Sequence, residues 1–422
     1  MSRRPIRVIE VNGTPDERGK QYGEQASDLI AEAVEYYQEA FFKQVGMTWE
    51  GVCDYVAQWY PLIDSVCPEL LTELRGIAAG SGRGINEILA LNVRGEFIYD
   101  LAASRSARAR NEDEESADGC TSFFLTGTAS GAAGHSLIGQ NWDWRHSTRD
   151  QTLILRIVQD PLPTIIMQLE AGQIGRHGAN SAGIGLNANG LGGRFGSEIG
   201  MPQTFIRRLV LNQLSVSDAV KVLVNTRPHI SSNALLGHRA GYAIDLETTP
   251  EGVGWVYPEQ GLLVHANHYQ AELPTRLAGR YRPISADSLV RLPRAQSRLA
   301  SVAQAKDSVE ATAMVHSAMS DHLGFPDSLC AHPDDRREDY RQWSTLLSSC
   351  VDLTNGEYRI AEGTPCEKAI GCFRGTSMTD PVHIRRRRTR DENNQATTTT
   401  PMERGCARLD SAPRGLRPRS GH

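Results

Sequence analysis

Apolar positions in the first hundred residues recur at helical spacing. Residues 26–45 place Ala, Leu, Ile, Val and aromatic side chains on one face, and 49–66 repeat the pattern after a break. Pro68 opens a further helix over 69–79, which stops at Gly80, Gly82 and Gly84, and 85–99 continue the helical pattern. Across 102–118 the apolar face disappears. Ser, Arg and acids dominate, including four consecutive acids at 112–115, and predict an exposed polar loop. At Cys120 the character changes. Runs at 121–125, 136–141, 153–158 and 164–169, separated by Gly, Pro and Asp turns, predict short strands. The Gly- and Asn-rich stretch 178–189 predicts a tightly packed strand pair. Residues 205–214 and 216–225 predict two helices, 234–246 and 252–267 further hairpin strands, and 309–321 an amphipathic helix. A last hairpin is expected over 346–353 and 357–361, around Asn355-Gly356. Helices segregated from antiparallel strands, with no internal repeat, define an α+β class.

Composition refines this picture in two places. The chain has 422 residues, beyond the size at which one core usually stops growing, so one large domain or two intimately packed parts with appendages is expected. Its 45 basic and 50 acidic side chains give a net charge of −5, which argues against a general nucleic-acid binder. The charge is uneven: residues 373–422 carry 11 arginines against 5 acids, with Arg at every position from 385 to 388. That segment has too little apolar surface to offset its ordering entropy, and it reads as a disordered, dispensable basic tail whose charges are solvated. No run approaches the roughly 20 apolar residues that span a bilayer, and the first residues lack the apolar stretch of an export signal. A cytoplasmic protein without membrane partners is expected, its 8 cysteines thiols rather than a disulfide framework.

Three short motifs carry candidate chemistry. In Asp118-Gly119-Cys120-Thr121-Ser122 a cysteine stands where the polar loop meets the first strand. A lone cysteine is most often a small buried hydrophobe, but Gly119 before it offers backbone geometry that other residues avoid. In Gly139-Gln140-Asn141-Trp142-Asp143-Trp144 the aspartate either caps a packed strand end or orients a nearby amine or thiol. In His265-Ala266-Asn267-His268 the two histidines face opposite sides of a strand and lack a third ligand, which disfavours a metal. Asn267 could donate its amide to an oxyanion. The stretch from Gly190 to Gly196 is not a Gly-x-Gly-x-x-Gly match, no Gly-x-Ser-x-Gly elbow occurs, and Cys366 and Cys372 have the wrong spacing for a zinc knuckle. No cofactor or metal is expected.

Taken in order, Asp118-Gly119-Cys120-Thr121, Gly139-Gln140-Asn141-Trp142-Asp143, Glu170-Ala171-Gly172-Gln173-Ile174-Gly175, Asn180-Ser181-Ala182-Gly183 and Val264-His265-Ala266-Asn267-His268 resemble the acyl-coenzyme A:6-aminopenicillanic acid acyltransferase family. These are N-terminal-nucleophile enzymes of the isopenicillin N acyltransferase type. The likeness spans roughly residues 5 to 370. It implies a four-layer αββα sandwich with two antiparallel sheets, and a precursor that cuts itself between Gly119 and Cys120. Residues 1–119 would become a small subunit that stays bound, 120–372 the catalytic part of the large one, and 373–422 its tail. It further implies Cys120 as nucleophile, Asp143 as catalytic aspartate, Asn267 as oxyanion asparagine and Ser232 as a functionally important serine. The implied partners are a small-molecule acyl donor, acyl-coenzyme A among the candidates, and an amine or amide. Two departures set the penicillin nucleus apart. Fungal members carry an arginine after the cysteine of a Pro-x-Ser-x-Cys stretch, where Ala331 follows Cys330. A second family arginine is replaced near Gln342 and Trp343.

Two other readings stay open at this level. A plain thiol peptidase would need His265 or His268 as base. A non-enzymatic α+β binding protein would keep its chain uncut and Cys120 structural.

Overall fold

The hydrophobic pattern does not announce the first strand. In β1 (Arg7–Asn12) only Ile9 and Val11 are buried, too short an alternation to stand out. The computed structural model describes residues 4–99, 119–193, 195, 198–279 and 281–372. The polar loop expected at 102–118 and the basic tail at 373–422 lie outside them.

Helix α1 (Pro15–Gln25) also escapes the periodicity, because it is largely polar. Its signal is local: Thr14 and Glu17 form a reciprocal capping box. Its buried face holds Arg18 and Tyr22 together with two glycines, Gly19 and Gly23. A Cβ on Gly19 would stand 2.1 Å from the Glu73 carbonyl, so the two helix backbones are in direct contact. The partner helix is α5 (Pro68–Ser81), reached through α2 (Ser27–Val45), α3 (Trp49–Val56) and α4 (Tyr60–Val66), and followed by α6 (Ile85–Asn92). The single helix expected over 49–66 is interrupted by a 3₁₀ turn at Ala57–Trp59.

The remaining strands are β2 (Thr121–Leu125), β3 (Leu137–Arg145), β4 (Thr152–Val158), β5 (Ile165–Glu170), β6 (His177–Asn180), β7 (Ile184–Asn187), β8 (Ser232–His238), β9 (Ala243–Thr249), β10 (Gly252–Val256), β11 (Leu262–His265), β12 (Trp343–Asp352), β13 (Glu357–Ala361) and β14 (Gly371–Cys372). They form an eight-stranded sheet in the order β1-β4-β5-β6-β7-β8-β9-β10 and a six-stranded sheet in the order β11-β2-β3-β12-β13-β14. Both are antiparallel except at the edge, where β1 pairs parallel with β4. The hairpin expected over 252–267 does not form: β10 closes the first sheet and β11 the second.

Side-chain alternation sorts the core into layers. On one face of β4, Leu153, Leu155 and Ile157 pack with Ile9 and Val11 against the N-terminal helices. On its other face Ile154 joins Phe124, Ile138 and Trp142 between the sheets. Phe123, Leu125 and Val264 of the second sheet face two late helices. Of the helices after β7, α7 (Gln203–Leu211) and α8 (Val216–Asn225) follow the sequence pattern, as does α10 (Ser308–Met319). α9 (Ser288–Leu299) does not, because Pro293 and three arginines disguise the face that buries Ala295 and Leu299. Helices, sheet, sheet and helices thus make an αββα sandwich.

Candidate active site

The peptide joining Gly119 to Cys120 enters β2 between the two sheets. Thr121 stands opposite Asn141, and β3 runs on past that pair to carry Asp143 beside Gly119 and Cys120. Cys120 is fully buried, its Sγ 3.6 Å from the Asp143 carbonyl. A Cβ on Gly119 would lie 3.2 Å from Asp143 Cβ and 3.6 Å from Oδ2. Glycine therefore lets a buried carboxylate rest against the residue that precedes the cysteine. Thr345, opposite Asp143 on β12, donates its hydroxyl to Oδ1 at 2.6 Å. Thr345 Oγ1 accepts the Ala331 N–H at 3.0 Å, which leaves its own proton for the carboxylate.

A buried arginine stands on the other side. Arg291 of α9 donates to Cys120 O at 2.7 Å, Thr121 Oγ1 at 2.8 Å and Asn267 Oδ1 at 2.9 Å, and pairs with Asp287. With Oδ1 engaged, the Asn267 amide has a fixed orientation. Its Nδ2 donates to Gly190 O at 3.1 Å and carries a second hydrogen. Ser232, at the start of β8, sits one hydrogen-bond layer further out. Its Oγ is 2.9 Å from the carbonyls of Asn189 and Asn233. Asn189 Nδ2 in turn reaches Ser122 Oγ and the carbonyls of His265 and Ala266, so Ser232 supports the segment that carries Gly190.

The structure therefore sets Asp143 beside Gly119 and Cys120, links Asn267 to Cys120 through Arg291, and puts Ser232 behind the segment that carries Gly190. The sequence reading missed Arg291, hidden in the unrecognised α9, and Thr345, an unremarkable threonine. It also missed Arg176, whose guanidinium lies 4.0 Å over the Trp142 ring. Burial lowers the Arg176 pKa to about 9, with Arg94 and Arg207 adding to the effect and Glu170 and Cys120 opposing it.

Neither histidine of the third motif is arranged as a base for the thiol. His265 Nε2 contacts Glu247 Oε1 at 2.9 Å and Nδ1 contacts the Ala266 carbonyl at 2.9 Å, so both nitrogens face acceptors. Burial works against its charge, but Asp245 and Glu247 outweigh it and raise the pKa to about 9. An imidazolium so held has no lone pair for a proton. His268 turns to Ser288 Oγ instead, and burial lowers its pKa to about 4.

A cleft of about 510 Å³ opens onto Gly119 and Asp143, with Asp287, Ala331, Arg337 and Trp343 in its wall. This is within the usual size range for small-ligand sites. Ala331 and Trp343 mark the two departures from the fungal pattern, and both face this cleft. Apart from it, His322, Cys330, His332 and Cys366 converge at the surface.

The four-layer αββα sandwich thus sets a cysteine at the head of an inner strand, with a carboxylate beside it and an oriented amide linked to it through Arg291. Residues 130–367 match the family of acyl-coenzyme A:6-aminopenicillanic acid acyl-transferases, and the chain belongs to that family. The matched range holds Asp143, Ser232 and Asn267 and begins after Cys120. The 40 kDa form of the acyl-coenzyme A:6-aminopenicillanic-acid-acyltransferase of Emericella nidulans is 32% identical over 261 residues, spanning 62% of this chain and 68% of the relative. Among solved structures, a conjugated bile acid hydrolase from Clostridium perfringens is similar at TM-score 0.39 and 12% identity, covering 60% of this chain and 96% of that one. Penicillin V acylase from Agrobacterium tumefaciens is similar at TM-score 0.36 and 16% identity, covering 58% and 83%. Membership makes the chain an enzyme of acyl transfer or amide hydrolysis. Among the described residues, no helix is long and apolar enough to cross a membrane.

Proposed function

We propose that the chain cuts itself between Gly119 and Cys120 and then works as an N-terminal-cysteine acyltransferase and amide hydrolase. The observation that supports this is the Gly119–Cys120 peptide packed against the Asp143 carboxylate and bridged by Arg291 to the Asn267 amide. Cys120 Sγ attacks the Gly119 carbonyl, the amide becomes a thioester, and water releases Gly119. Residues 1–119 stay bound as a small subunit, because β1 is the edge strand of the first sheet and Glu73 is ion-paired to Arg208. Residues 120–372 form the catalytic part of the large subunit.

Cleavage gives Cys120 a free α-amine, whose ordinary pKa of about 7.7–8.0 leaves an appreciable neutral fraction near neutrality. That amine takes the thiol proton, so no histidine is needed. Asp143 holds the amine, and Thr345 holds Asp143. The thiolate attacks an amide or thioester carbonyl presented from the cleft. The oxyanion forms against the second Asn267 Nδ2 hydrogen and a backbone N–H. Water then completes hydrolysis, or an amine completes transfer. No cofactor takes part, and acyl-coenzyme A is one acyl donor of the right class.

The test is to mix the purified protein with a simple acyl thioester, quench it and weigh its subunits. An acyl mass on the peptide that begins at Cys120 is expected. Turnover of the thioester with no adduct on that peptide at any time, or an adduct on another residue, would overturn the Cys120 acyl-enzyme.

A further inference from the structure

We propose that His322, Cys330, His332 and Cys366 bind one zinc ion in a closed, four-ligand structural site beside the cleft. The ligand atoms already converge. His322 Nε2 and His332 Nε2 are 3.1 Å apart, and His332 Nε2 is 3.5 Å from Cys330 Sγ and 3.3 Å from Cys366 Sγ. The two sulfurs are 3.5 Å apart, and all four atoms lie within 4.8 Å of one another. Zinc bonds of about 2.0–2.1 Å to nitrogen and 2.3 Å to sulfur give tetrahedron edges of about 3.3 Å for N–N, 3.6 Å for N–S and 3.8 Å for S–S. The four separations given fall just inside these edges, and the two from His322 Nε2 to the sulfurs are no more than 4.8 Å, so a small turn of the His322 side chain completes the tetrahedron.

Hydrogen bonding alone does not account for the convergence. One imidazole nitrogen offers a single proton or a single lone pair, yet three polar atoms crowd His332 Nε2. A disulfide needs sulfurs about 2.05 Å apart and leaves both imidazoles unexplained. A cation at the centre satisfies all four at once, and a tetrahedral pair of thiolates and imidazoles selects zinc among the common divalent ions. Four protein ligands leave no open position for substrate, which makes the site structural.

Its place in the fold gives it a task. His322, Cys330 and His332 belong to the segment between α10 and β12, and Cys366 to the segment after β13. Zinc would staple the two together. Ala331, between two of the ligands, donates to Thr345 Oγ1 and accepts from the Thr345 N–H at 3.0 Å. Thr345 holds Asp143. The metal therefore fixes one cleft wall and the hydroxyl behind the catalytic carboxylate, without touching the reacting atoms.

The experiment uses the full chain, purified with a thiol reductant, desalted and assayed for metal. One equivalent of zinc per chain is expected, retained in Cys372→Ser and lost in Cys366→Ser and His332→Gln. After chelation, titration of the wild-type chain with Co²⁺ should give intense tetrahedral d–d bands and a thiolate charge-transfer band. These should saturate at one equivalent and be displaced by zinc. The proposal fails if the reduced wild-type chain takes up neither Zn²⁺ nor Co²⁺. It also fails if the metal persists when Cys366 and His332 are both replaced, or if Cys330 and Cys366 are found as a disulfide and no metal enters after reduction. None of these readouts uses catalytic activity, so the zinc site and the Cys120 mechanism stand or fall separately.

Discussion

An Asn267→Ala chain is expected to cleave itself, and then turn over substrate, about 10²–10³ times more slowly than wild type, a loss of about 2.7–4 kcal/mol of transition-state stabilisation. The reason lies in how the amide is held. Arg291 fixes Oδ1, Gly190 takes one Nδ2 hydrogen, and the other is left for charge that develops only when the thiolate has attacked. A donor engaged only in the transition state lowers kcat and leaves KM nearly unchanged. The reaction with the chain's own Gly119 carbonyl is the cleanest assay, because binding plays no part in it. Cleavage is followed by gel or mass from the moment of refolding. An Asn267→Ala chain that cleaves at the wild-type rate would remove Asn267 from the oxyanion site.

Glu73→Ala is expected to destabilise the fold by about 3–5 kcal/mol, the usual result of stranding a buried charge. Glu73 of α5 lies buried between two guanidinium groups. Arg18 of α1 reaches Oε2 at 2.9 Å, and Arg208 of α7 reaches Oε1 at 2.8 Å, with side-chain exposures of 8%, 4% and 0% for Arg18, Glu73 and Arg208. Removing the carboxylate leaves two buried cations facing each other. The Arg208 pair joins residues on either side of the proposed cut, so in a cleaved protein the loss also loosens the small subunit. The denaturation midpoint measures the effect, and a change of under ~1 kcal/mol would mean that water or other acceptors take over. Replacing all three residues by apolar side chains of similar volume should recover much of the loss.

The parts of the site legible in the sequence are those where the chain changes character. Cys120 stands at the switch from helical to strand periodicity, and Asp143 and Asn267 at or just beyond strand ends, so local pattern pointed to all three. Ser232 came only from resemblance, since nothing local marks it. Arg291 was invisible because α9 carries a proline and three arginines, and its role depends on α9 packing against the second sheet. Thr345 gains its meaning from strand pairing over 202 residues of sequence. The zinc ligands illustrate the same limit. Cys366 follows His332 by 34 residues, and the β12–β13 hairpin brings them together, a spacing that no short motif encodes. Among the elements, β1 and α1 were missed because one is short and the other polar. The split of β10 and β11 between sheets is a tertiary choice that their alternation cannot express.

The central claim is that Cys120 becomes an N-terminal nucleophile by cutting the bond before it. Intact mass spectrometry of the wild-type chain beside Cys120→Ala tests it most directly. The account predicts two wild-type species, one ending at Gly119 and one beginning at Cys120, and a single uncut chain for the variant. A single uncut wild-type chain that nevertheless turns over substrate, or a Cys120→Ala chain cut at the same bond, would contradict it.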